Sequence, residues 1–193
     1  MTIPHLIPFI IALVWILIPF KQVKTKYFLF FLIYAVTAIF LLIDFFLLIH
    51  PAKIYLGQGF FLIISLFDFK KIPHYIIFLL SVLIISVILP FVLSINTITV
   101  ILIIQHIILF AIILKRIIIY SNENKKLNIF QFVVLIYELA LITRSIVVLG
   151  DTKTGLIFFY ISAAFGIIPG IFFLFYNEKT SPAIYLEKKS IQP

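Results

Sequence analysis

The sequence contains no cysteine, which excludes disulfide staples, thiolate metal centres and cysteine nucleophiles. Charge is scarce too. Asp, Glu, Lys and Arg together make up 11% of the 193 residues, and only 7 of these are acidic. A water-soluble domain of this length averages about a quarter charged residues. With so few ionic groups the chain cannot cover a water-facing surface. No internal repeat is discernible, which removes the usual signature of an inverted-repeat transporter. Residues 1–20 have no basic leader, and Ile18-Pro19-Phe20-Lys21 offers no small-residue cleavage site, so the first apolar stretch is expected to be retained as a span.

What is abundant is apolar surface. Hydrophobic residues make up 64% of the chain and the mean hydropathy is +1.29. Lipid is therefore the expected solvent, and in lipid every backbone N–H and C=O must be satisfied within its own segment. Continuous apolar runs, rather than the alternation of a barrel strand, make those segments helices. The expectation is an all-α, polytopic transmembrane bundle forming one domain over residues 1–176. Its spans lie near 3–20, 27–49, 52–69, 73–94, 97–114, 129–149 and 155–176. A polar, loosely ordered cytoplasmic tail occupies 177–193, and residues 115–128 form the one sizeable loop.

The third span is the doubtful one. Ile54–Phe67 alone gives about 21 Å of helix, the length of a re-entrant segment. Six spans plus such a segment, with the N-terminus inside, place ten Lys/Arg in the cytoplasm and four outside. Seven spans with the N-terminus outside and the C-terminus inside place Lys21, Lys24, Lys26, Lys70, Lys71, Lys115, Arg116, Lys125, Lys126, Lys179, Lys188 and Lys189 in the cytoplasm. Only Lys53 and Lys153 then lie outside, with Arg144 inside a span. The positive-inside rule favours seven. The same clustering at span ends explains the net charge of +8 without a nucleic-acid partner. Membrane lipids and other membrane subunits are the expected partners, and the bacterial cytoplasmic (inner) membrane the expected location.

A charge near the bilayer centre costs roughly 2.5–3.5 kcal/mol on insertion scales. Asp44, His106, Glu138 and Arg144 each carry such a cost. Their depths suggest two pairs: Asp44 with Arg144 in the outer leaflet, and His106, with Gln105 beside it, with Glu138 near the midplane. On the sixth span Tyr137 and Arg144, seven apart, share a face, and Glu138 and Ser145 form the adjoining stripe. This polar face is expected to point inward. Ser162-xxx-Gly166-xxx-Gly170 on the seventh span, with Pro169 between the glycines, is a close-packing signature joined to a kink. Gly57-Gln58-Gly59 is expected to loosen the third helix and to mark a cavity mouth.

His5, His50 and His74 lie near span ends, leaving His106 without a histidine at matched depth. No haem, metal or other cofactor is expected. A retinal site fails for want of a lysine in the last span, where Ala163 and Gly166 stand instead.

Asp44-Phe-Phe-Leu-Leu-Ile, then Gly57 and Phe60-Phe61-Leu62, resembles the paired helices of the lysoplasmalogenase family, with Glu138 at the second acidic position. Ile43 stands in place of that family's glycine, Ser65 in place of its histidine, and Tyr137-Glu138 in place of its Ser-Asp. The resemblance implies hydrolysis of a vinyl-ether lysolipid, with Asp44 and Glu138 activating water and protonating the substrate. The residues themselves favour a protein without catalysis, an accessory, scaffold or sensory subunit of a membrane complex. A small proton-coupled transporter using Glu138 and His106 is the third reading.

Overall fold

The computed structural model describes residues 3–47, 51–66, 75–150 and 155–186. Within them are seven helices: α1 (Ile3–Gln22), α2 (Phe28–Leu47), α3 (Pro51–Ser65), α4 (Tyr75–Val92), α5 (Ile95–Asn124), α6 (Ile129–Leu149) and α7 (Gly155–Phe175). Two three-residue strands, β1 (Lys126–Asn128) and β2 (Ala183–Tyr185), complete the elements. The fold is all-α. By length and composition α5 and α6 are long and apolar enough to cross a membrane. In α1, α2, α3, α4 and α7 the described apolar stretches are shorter.

Local chemistry sets several helix ends. Ser94 caps α5 by accepting from the Thr97 N–H, and Asn128 caps α6 by accepting from the Phe130 N–H at 2.9 Å. The thirty residues of α5 span about 45 Å. The helix continues past the expected boundary at 114 to Asn124, so most of the expected 115–128 loop is helical. Ile117 is buried, and Arg116 donates from its guanidinium to the Leu66 carbonyl, so Arg116 ties α5 to the end of α3. The helix stops where Lys125 turns left-handed at φ 53°, its N–H returning to the Ser121 carbonyl.

The expected loose tail is also ordered as far as Leu186. Ala183–Tyr185 pairs antiparallel with Lys126–Asn128, Leu127 facing Ile184. Asn177 folds the preceding turn by accepting from the Lys179 and Thr180 N–H groups, each at 2.9 Å. Gln22, fully buried, donates to the Phe173 and Tyr176 carbonyls at 2.9 and 3.0 Å, and Asn128 donates to the Glu178 carbonyl at 3.0 Å. These bonds close one end of the bundle. Residues 187–193 lie outside the described part.

The core is aromatic. Trp15 of α1, 3% exposed, stacks on Tyr137 of α6 with ring centroids 4.6 Å apart and touches Tyr34 of α2 at 4.9 Å. Phe31, Phe130 and Phe173 pack below, with centroids 4.8–5.9 Å apart. Close approach of α7 to α1 depends on glycine. A Cβ on Gly170 would sit 2.7 Å from Val14, and the Gly166 carbonyl accepts from the Trp15 indole at 3.0 Å. The expected small-residue motif therefore packs α7 on α1 through Gly166 and Gly170, while the Ser162 side chain lies outside the described part. Proline 169 is accommodated within a continuous α7, and Gly57-Gln58-Gly59 does not break α3. Gly59 instead lets α3 press onto α5, because a Cβ there would collide with Gln105.

Outside this core the surface is strongly apolar. On α4, Ile76, Ile77, Leu80, Ile84, Ile88 and Phe91 are all exposed. In water, contiguous patches of that size mark an interaction surface.

Candidate functional site

The middle of the bundle holds one ionisable centre among the described residues. Glu138, the tenth residue of α6, has no exposed surface. Tyr34 of α2 donates its hydroxyl to Oε1 at 2.9 Å. The Nδ1 of His106, on α5, lies 2.7 Å from Oε2. A carboxylate can only accept, so with Glu138 ionised both neighbours donate, the histidine through Nδ1–H. Three helices thus meet on one carboxylate, with each oxygen engaged. Bonds to an ionised acceptor are shorter and about twice as strong as neutral ones. The aromatic wall of Trp15, Tyr34 and Tyr137 excludes water from one side of this centre.

The structure thus brings His106 and Glu138 together. It places Tyr137 beside them as a packing group, its ring against Trp15. Gln105 does not join them. It faces the other way, donating to the Leu56 carbonyl at 3.2 Å and pinning α3 to α5 against Gly59. Adjacent positions on a helix point about 100° apart, so Gln105 and His106 serve different neighbours. Arg144 also departs from expectation. It is exposed, so the inward polar face of α6 covers Tyr137 and Glu138 but ends before the last turns. The Asp44 side chain lies outside the described part, and with it the Asp44–Arg144 pair.

Tyr34 and Trp15 are the residues that sequence reasoning missed. Each sits inside an unbroken apolar run, where an aromatic is indistinguishable from core filling. The signal available for Tyr34 was its hydroxyl at mid-span, a donor that in lipid needs an acceptor. A smaller polar group lies at the closed end of the bundle. There Gln131 donates to Glu178 at 3.3 Å, and the side-chain carbonyl oxygens of Gln22 and Gln131 are buried without a protein partner. Among the described residues no three His, Asp or Glu side chains converge as metal ligands would. No protein-family profile, curated protein or solved structure matches the chain.

Proposed function

We propose that this chain is a seven-span protein of the bacterial cytoplasmic membrane, N-terminus outside, that serves as a non-catalytic subunit of a membrane assembly. The observation that carries the reading is the state of Glu138. Both carboxylate oxygens are engaged by other helices and no part of the residue reaches a surface. A general acid or base must reach its substrate or water within hydrogen-bond distance, and here that reach is spent on Tyr34 and His106. The centre is suited to locking α2, α5 and α6 in register. The apolar exterior supports the membrane setting, and the basic residues at the span ends support the orientation. A hydrolase using Asp44 and Glu138, as the lysoplasmalogenase resemblance implies, would have to break the lock first.

The test is photo-crosslinking in native membranes from Ile84 on α4 and from Leu17 on α1, both exposed. The reading expects one recurrent membrane-protein partner from one of these faces, and no lysolipid cleavage by the purified chain. A lone monomer from both faces, or vinyl-ether hydrolysis lost in Glu138→Gln, contradicts it. The buried acid–histidine pair favours one second reading, proton-coupled transport. Proton-driven uptake in proteoliposomes that is abolished by Glu138→Gln supports that reading, and uptake indifferent to the substitution removes it.

A further inference from the structure

Between α2, α3 and α4 runs an open cleft of about 400 Å³. This is the size of a small-molecule site. Its walls are mostly apolar, and its polar groups are ordered along its length. Lys53, the third residue of α3, lines one end, its ammonium 5.8 Å from the centroid of the exposed Phe91 ring. Gln58 lies about 7.5 Å further along α3 and Phe61 about 12 Å, at 1.5 Å per residue. A three-residue link joins α2 to α3, so the two run antiparallel, and Thr37 of α2 faces the cleft deeper than Gln58.

Two of these side chains are conspicuous. Thr37 is 6% exposed and Gln58 7%, both line the cleft, and neither side chain makes a hydrogen bond among the described residues. Ser86, on the α4 wall, is already satisfied by the Val82 carbonyl at 2.7 Å. A buried amide without a partner is costly in an apolar setting. Here an amide and a hydroxyl, their polar atoms open to the cleft, sit beneath a cation and above an apolar floor.

That order matches the build of one ligand class: an anionic head, an ester region, then a hydrocarbon chain. We propose that the cleft binds a phospholipid of net negative charge. Its phosphate pairs with Lys53, its ester oxygens accept from Gln58 and Thr37, and one acyl chain lies against Val36, Ile33 and Leu32, the lining residues deeper than Thr37. The inference rests on the membrane reading and adds to it a specific lipid site in the outer leaflet. Gly57 keeps the cleft open. A Cβ there meets only Ser86, at 3.7 Å, so the position has room for a methyl group, and a larger side chain reaches across the cleft toward α4.

The experiment is native mass spectrometry of the full chain in neutral detergent, mixed with phosphatidylglycerol or phosphatidylcholine. One phosphatidylglycerol per chain should be retained where phosphatidylcholine is lost. Lys53→Ala should reduce retention to the phosphatidylcholine level, and Gly57→Leu should abolish it. An unshifted emission from Trp15, the sole tryptophan, in the distant aromatic core reports an intact fold. If Gly57→Leu disturbs that emission, the paired variants Gln58→Leu and Thr37→Val decide, with loss of retention expected. Equal retention of both lipids, or retention indifferent to Lys53→Ala and to the cleft variants, overturns the site. Displacement of the lipid by millimolar inorganic phosphate overturns it in favour of a free-anion site. Carbonate washing separates the two failures. A chain that stays in the washed membranes yet ignores these substitutions contradicts only the lipid site, and a chain that washes out contradicts the membrane reading.

Discussion

The two sides of this bundle are built differently. Around Trp15, helices α1, α2, α6 and α7 interlock through stacked and edge-on rings, glycine-dependent close approach and a carboxylate shared by three helices. Around α4, and on the side of α3 that faces it, the packing is thin. Leu56, Ile98 and Leu102 form a small separate cluster, α4 exposes most of its side chains, and a cleft separates it from α2. Lipid tails are as apolar as leucine, so burial alone does not drive helices together in a membrane. Shape fit and hydrogen bonds do. The tight side has both, and the loose side has a shape left open. Close packing is concentrated on one side and open surface on the other.

Substitutions should therefore divide by side. Trp15→Ala removes the ring at the centre of the tight side and should cost about 3–5 kcal/mol, read as a loss of thermal stability in detergent micelles. Glu138→Ala leaves His106 and Tyr34 facing an empty site and should cost a comparable 3–5 kcal/mol, as expected when one partner of a buried pair is removed. Glu138→Gln, which can still accept from one neighbour, should cost less. A double-mutant cycle with Tyr34→Phe should show a coupling of about 0.5–3 kcal/mol, and additivity there would contradict a shared lock. Gly170→Ala should cost about 1–3 kcal/mol by overpacking against Val14, whereas Gly57→Ala on the loose side should be nearly neutral, its Cβ meeting only Ser86. Equal effects at the two glycines would erase the contrast. Smallest of all, Ile84→Ala on exposed α4 should stay within about 0.5 kcal/mol.

Much of this was legible in the sequence for a simple reason: a chain with this little charge has few solvents open to it. Helical class followed from continuous apolar runs, and the meeting of His106 with Glu138 followed from two costly groups at matched depth. The remainder depends on tertiary context. Lys115-Arg116 reads as the end of a span, but Arg116 finds a carbonyl at the end of α3 and the helix runs on. Ala183–Tyr185 is too short to show a strand period, and becomes a strand only because β1 is beside it. Arg144 is long enough to turn outward from a helix whose earlier residues face in. Tyr34 is invisible as a ligand of Glu138 because nothing local separates it from the phenylalanines around it.

The central claim is a bundle of seven membrane crossings, and the absence of native cysteine makes it directly testable. Single cysteines would replace Lys26, Lys53, Lys125, Lys153 and Lys179, one at a time, and be exposed to a membrane-impermeant maleimide on intact cells. Labelling of positions 53 and 153 from outside, with 26, 125 and 179 reacting only after the membrane is opened, is the predicted result. Labelling at 26 with protection at 53 would mean six crossings and a re-entrant α3, and would contradict the account.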